Sequence, residues 1–110
     1  RDVERSRGLG DVYKRQQEML EKAGECFATI VEEDPTDCEA GQQLYYIYID
    51  KEEWDKVITT IQTMLDNGCE RDYVILSNLS AAYSQIGNME KASEFYKEAQ
   101  EKKPKEEGQN

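Results

Sequence analysis

The chain has 110 residues, of which 37% are hydrophobic and 35% charged, and its formal net charge is -10. Ordinary globular chains are roughly 45–50% apolar and 25% charged, so this balance indicates amphipathic surface helices rather than a thick core. The negative charge disfavours nucleic acid and membrane surfaces as partners, because phosphate backbones and anionic lipids repel an acidic domain. A basic protein partner, or one docked mainly by apolar contacts, fits better.

The first 16 residues differ from the rest of the chain in charge and pattern. They carry a net charge of +2, against -12 for residues 17–110, and contain Gly8 and Gly10 without apolar periodicity. The stretch SRGLGDVYKRQ, residues 6–16, resembles the translation of a transposase-type sequencing adapter at all eleven positions. We therefore expect residues 1–16 to be a non-native, irregular segment, with the authentic fragment beginning at residue 17.

Beyond residue 16, apolar residues recur at helical spacing, and the pattern itself repeats. Phe27, Ile61 and Tyr96 lie 34 and 35 residues apart, and Leu44 precedes Leu79 by 35 residues. A period of this length with paired helices is typical of an all-α solenoid. The pattern predicts five helices, over residues 20–33, 37–50, 53–66, 73–86 and 89–102.

Turn residues lie between the predicted helices. Thr36 and Glu39 have the spacing of a capping box that opens the second helix. Gly68 and Gly87 can each end a helix in the left-handed conformation. The residues expected in the core are Phe27, Leu44, Tyr48, Trp54, Val57, Ile61, Leu65, Leu79, Tyr83, Ala92, Tyr96 and Ala99.

Residues 76–104, LSNLSAAYSQIGNMEKASEFYKEAQEKKP, resemble the tetratricopeptide repeat. The preceding unit, residues 39–71, is more degenerate, with Glu52 at the turn glycine and Cys69 at the proline. The resemblance covers residues 17–104, leaves residues 105–110 as a polar tail, and implies a short right-handed α-solenoid of about two and a half repeats. The family's markers in residues 76–104 are Leu79, Tyr83, Gly87, Ala92, Tyr96, Ala99 and Pro104.

The resemblance implies a protein–protein interaction scaffold that binds a peptide or helix of its partner. In such arrays the first helix of each pair lines the concave groove, where Tyr46 would be the aromatic anchor. Alternatively, a helix upstream of the given sequence simply covers Tyr46. The groove residues implied by the resemblance are Gln42, Tyr46, Ile49, Asp50, Ser77, Ala81, Ser84 and Gln85.

Some members of the family clamp the C-terminal carboxylate of chaperones with Lys, Arg and Asn side chains. Of the matching positions here, only Asn78 fits, and Glu39 would repel the ligand. We therefore expect that clamp to be absent. The positions compared are Glu39, Gln42, Gln43, Tyr46, Val74, Ser77 and Asn78.

Two other interpretations remain open. Residues 64–92 are also similar to the helix-turn pattern of pentatricopeptide repeats, which bind RNA, and Ser77 could then read a base. Those repeats need a basic groove, and the acidic charge of residues 17–110 disfavours one. The chain could also be a regulatory module of a larger, truncated protein.

A truncated first repeat has a physical consequence. With its partner helix missing, the first predicted helix would leave Leu20, Phe27 and Ile30 uncovered. Repeat arrays are stabilised by burial against neighbours and by capped ends. We therefore expect residues 17–110 alone to self-associate through this N-terminal face, or to melt early.

No residue pattern supports catalysis or metal binding. The chain has no His and no CxxC pair, which excludes zinc sites of the usual spacing. Carboxylate pairs such as Glu52–Glu53 fall at helix ends and are expected to be solvated, so we expect no enzyme activity and no cofactor. No apolar stretch approaches the roughly 18–20 residues of a membrane span. Cys26, Cys38 and Cys69 are expected to be reduced thiols of a cytoplasmic protein.

Overall fold

The computed structural model describes residues 2–104 of the chain, with side chains from Gly10 onwards, so the predicted polar tail lies outside the described residues. Residues 2–104 contain five helices and no strand, which confirms the predicted all-α repeat fold. Four of the five predicted helices match the observed ones within one residue at each end. The helices are α1 (Asp2–Glu33), α2 (Cys38–Asp50), α3 (Trp54–Asp66), α4 (Tyr73–Gln85) and α5 (Met89–Lys102).

Helix α1 is longer than predicted, because it begins at Asp2 rather than near residue 20. The prediction of irregular structure is therefore wrong for residues 2–16. A glycine inside a helix costs about 1 kcal/mol relative to alanine, but extending an existing helix avoids the cost of nucleation, and no proline interrupts the segment. Every residue from Gly10 to Gln16 is exposed, so these seven residues add nothing to the core. The adapter origin of the segment stays a prediction.

The start of α2 also differs from the prediction. The carboxylate of Asp37 accepts a hydrogen bond from the backbone N–H of Ala40 at 3.0 Å, so Asp37 is the N-cap. The hydroxyl of Thr36 instead donates to the carboxylate of Asp34. The predicted capping box at Thr36 is wrong because Asp37, a strong N-cap residue, lies one position nearer the helix.

The three turns that join α2 to α3, α3 to α4 and α4 to α5 each contain a residue in the left-handed backbone conformation. Gly68 has a φ of 93° and Gly87 a φ of 85°, as predicted for both positions. Glu52 lies 35 residues before Gly87 and has a φ of 56°, although it carries a side chain. The turn from α2 to α3 therefore resembles the turn from α4 to α5 in backbone geometry. Glu52 is strained in this conformation, whereas glycine at the equivalent position 87 is not.

We expect Glu52→Gly to raise the free energy of unfolding by about 0.5–1 kcal/mol. The left-handed conformation costs an L-residue about 1–2 kcal/mol, part of which is offset by the greater freedom of glycine in the unfolded chain. Urea denaturation of the two proteins measures the difference. Gly87→Ala is the matched reverse change and should lower stability by about 1 kcal/mol. A lower midpoint for Glu52→Gly would contradict the strain at this turn.

The core lies between the packed helices, and most of the prediction for it is confirmed. Tyr96 is the error, since its side chain is 57% exposed. Among residues 2–104 no helix follows α5, and none of them covers the side chain of Tyr96. Half-buried members of the predicted core are Phe27, Tyr48, Trp54, Leu65 and Tyr83. Its fully buried members are Leu44, Val57, Ile61, Leu79, Ala92 and Ala99.

Helices α4 and α5 form the most complete repeat. The hydroxyl of Ser80 donates to the backbone carbonyl of Ala92 at 2.6 Å, a buried bond that requires small residues at both positions. Arg71, just before α4, donates two hydrogen bonds to Glu98 of α5, at 2.8 and 2.6 Å. This interaction holds the pKa of Glu98 below its ordinary value. The pair is therefore joined by one buried hydrogen bond and by a second, exposed set of hydrogen bonds.

Candidate functional site

The first helices of the two described pairs, α2 and α4, are joined by a buried tyrosine. Tyr45 is 1% exposed, and its hydroxyl accepts a hydrogen bond from the side-chain amide of Asn78 at 3.5 Å. Burial raises the pKa of Tyr45 to about 12, so the phenol stays protonated at neutral pH. Tyr45 is not among the residues that the sequence predicted for the core, whereas it is one of the largest fully buried side chains.

Tyr46, the predicted anchor, lies directly beside this buried residue. Its side chain is 38% exposed, and its ring centroid is 4.8 Å from that of Tyr45, with the two ring planes tilted by 47°. An exposed aromatic ring that rests on a fixed neighbour offers apolar area at low entropic cost to a ligand.

The other predicted groove residues lie on α2 and α4, and all of them are at least partly accessible. Asp50 is the one charged side chain in this set, and the other members are uncharged. Binding by these residues stays a prediction. Gln42, Ile49 and Ser77 are half-buried, whereas Asp50, Ala81, Ser84 and Gln85 are exposed.

A cavity of about 280 Å³ opens beside these residues, between the start of α2 and the turn that joins α3 to α4. Sequence reasoning missed it, because its walls come from three separate parts of the chain. Gln42, a predicted groove residue, contributes to the wall and so connects the two features. The lining residues are Cys38, Glu39, Gln42, Tyr45, Met64, Cys69, Glu70, Asp72 and Ile75.

Two of the lining residues, Cys38 and Cys69, form a disulfide, with their Cα atoms 5.8 Å apart. The prediction of three reduced thiols is therefore wrong, and only Cys26 is a free cysteine among the described residues. A signal was available in the sequence. Cys38 opens the first helix of a pair and Cys69 follows the second, and an antiparallel pair brings these ends together. The prediction of a cytoplasmic location loses the support that reduced thiols gave it.

Helix α1 leaves several apolar side chains exposed or half-buried. Met19 is 69% exposed, Ile30 is 38% exposed, and Leu20 and Phe27 are half-buried. Met19, Leu20 and Ala23 line a shallow apolar depression on α1. The predicted self-association through α1 stays a prediction.

Paired helices that repeat at a fixed interval and bury the contacts between them define a helical-repeat protein. A family model described as tetratricopeptide repeat matches residues 9–107. The chain belongs to the tetratricopeptide-repeat family. A comparison with curated proteins found no match. Between residues 2 and 104, no helix combines the length and apolar character needed to cross a membrane.

Proposed function

We propose that this protein is an interaction scaffold that binds a peptide or short helix of a protein partner across α2 and α4. The observation that carries the proposal is Tyr46, an exposed aromatic side chain supported by the ring of Tyr45 on the first helix of a repeat. Binding energy at protein interfaces concentrates on a few such aromatic anchors. Membership in a family of interaction scaffolds supports the same function.

The chemistry around Tyr46 favours a basic partner segment. Ser77, Ser84 and Gln85 offer hydrogen bonds on α4, and Asp50 adds a negative charge on α2. The formal net charge of the chain, -10, adds a long-range attraction for Lys and Arg. Because exposed charges mainly accelerate association, the on-rate should fall as the salt concentration rises.

We expect Tyr46→Ala to weaken binding by about 1–3 kcal/mol, because the substitution removes the anchor ring. Suitable ligands are peptides selected from a random display library on the full chain, and calorimetric titration measures their dissociation constants. Lys97→Ala, an exposed change on α5, is the control and should bind like the parent protein. Equal affinities for Tyr46→Ala and the parent would show that the ligand docks elsewhere.

The RNA-binding alternative is disfavoured by the composition of the same two helices. Neither α2 nor α4 contains a Lys or Arg residue, so the proposed binding face has no side chain that could neutralise a phosphate. The remaining interpretation, a regulatory module of a larger protein, would use the same face for a protein contact.

We therefore expect no binding of single-stranded RNA tighter than about 1 mM at physiological salt, because affinity for nucleic acid depends mainly on phosphate contacts. Fluorescence anisotropy with a labelled oligonucleotide measures this. Micromolar binding that weakens steeply with added salt would instead favour the pentatricopeptide interpretation.

A further inference from the structure

The cavity beside the groove has two free carboxylates at its wall. Three acidic residues line it, and Asp72 is already engaged, since its carboxylate accepts a hydrogen bond from the backbone N–H of Ile75 at 2.9 Å. Glu39 and Glu70 are exposed, and neither forms an ion pair with another described residue. The cavity therefore presents two negative charges without a described counter-charge.

The disulfide connects the two segments that carry these charges. Glu39 follows Cys38 in the chain and Glu70 follows Cys69, and the disulfide holds the two cysteine Cα atoms 5.8 Å apart. Both carboxylates line the same cavity, and like charges that share a cavity repel each other, even where water weakens the interaction. A cation in the cavity is attracted to both of them, so the wall favours a positively charged ligand.

The rest of the wall suits a long side chain that carries its charge at the tip. Met64 and Ile75 are buried apolar residues that can contact a methylene stem. The amide of Gln42 and the protonated phenol of Tyr45 add uncharged polar groups. A volume of about 280 Å³ is enough for one side chain and lies at the lower end for a pocket that holds a whole ligand.

We propose that this cavity binds an Arg or Lys side chain of the partner, and that the Cys38–Cys69 disulfide positions the carboxylates of Glu39 and Glu70 around it. The proposal rests on the proposed function, since Gln42 connects the cavity to the groove around Tyr46. Because coupling between two equilibria is reciprocal, a bound cation should also make the disulfide harder to reduce.

The test is an NMR titration of the ¹⁵N-labelled, oxidised full chain with acetyl-arginine amide. Acetyl-citrulline amide, which has nearly the same shape but no charge, is the ligand control. The arginine compound should shift the backbone amides of Glu39, Gln42 and Glu70, and citrulline should not. Equal shifts from both compounds, or arginine shifts that map elsewhere, would overturn the proposal.

Substitution of the carboxylates distinguishes binding at this cavity from a general effect of the net charge of the protein. The double variant Glu39→Gln/Glu70→Gln should bind the arginine compound at least about fivefold more weakly, because it loses both charge contacts. Glu94→Gln/Glu101→Gln removes the same charge from exposed positions of α5 and should bind like the parent. An equal loss in both double variants would mean that only net charge matters, which would overturn the site.

A separate measurement tests the coupling between the two carboxylates and the disulfide. It is the equilibrium constant for reduction of the Cys38–Cys69 bond by glutathione. Two glutathione thiols reduce the Cys38–Cys69 bond to two protein thiols and form one glutathione disulfide. Glu39→Gln/Glu70→Gln should shift this equilibrium several-fold toward the protein disulfide, because it removes the repulsion in the closed form. An unchanged equilibrium constant would contradict the positioning role. Neither measurement involves Tyr46, so failure of the groove and failure of the cavity are distinguishable.

Discussion

Leu79→Ala should lower the free energy of unfolding by about 2–5 kcal/mol, the range for a large-to-small change in a packed core. Leu79 is 0% exposed and belongs to the buried cluster that α4 shares with α2, α3 and α5. Urea denaturation followed by helical circular dichroism measures the loss. Val74→Ala, at a 44% exposed position of the same helix, should stay within about 0.5 kcal/mol of the parent.

The size of this effect follows from the position of α4 in the array. Helix α4 packs against both α3 and α5, so it connects the two described pairs. The stability of a repeat protein is close to a sum of terms within units and between neighbours, and a cavity at Leu79 weakens both kinds of contact. Similar unfolding midpoints for Leu79→Ala and Val74→Ala would contradict a core centred on α4.

Removing the disulfide should lower the free energy of unfolding by about 3–4 kcal/mol. The bond joins residues separated by 31 positions, and a closed loop of that length restricts the unfolded chain by about this amount in the chain-entropy model. Cys38→Ala/Cys69→Ala tests the bond directly in urea denaturation, and reduction with dithiothreitol tests it without a substitution.

Cys26→Ser is the control for the disulfide, since Cys26 is free and exposed. Its unfolding midpoint should match that of the parent, because exposed substitutions rarely cost more than about 0.5 kcal/mol. An unfolding midpoint that does not respond to dithiothreitol would contradict the disulfide.

The repeat period was the part of the fold that the sequence could predict best. Intervals of 34 and 35 residues between Phe27, Ile61 and Tyr96 placed α2 to α5 within one residue at each end, since periodicity reports directly on packing faces. The repeat pattern did not predict the start of α1, which begins at Asp2 rather than at residue 20. Residues 2–16 have no apolar pattern, and the extension of an existing helix does not need one. The part of this segment whose burial is described, residues 10–16, is exposed.

The candidate site was predictable only in part. The helical register placed Tyr46 on an accessible face, but it could not show that Tyr45, one position away, is almost completely buried. That burial depends on α4, whose Asn78 contacts the phenol across 33 residues of sequence. The cavity depends on a further tertiary contact, the Cys38–Cys69 bond, which the free-thiol prediction had set aside.

The central claim is that partner segments bind across α2 and α4. The most direct test is chemical-shift mapping of the ¹⁵N-labelled full chain with the tightest peptide from the display selection. We expect the largest amide shifts on α2 and α4, around Tyr46, Ile49, Ala81 and Ser84, with little change near Lys97 on α5. Largest shifts on α3 and α5, with α2 and α4 unchanged, would contradict the claim.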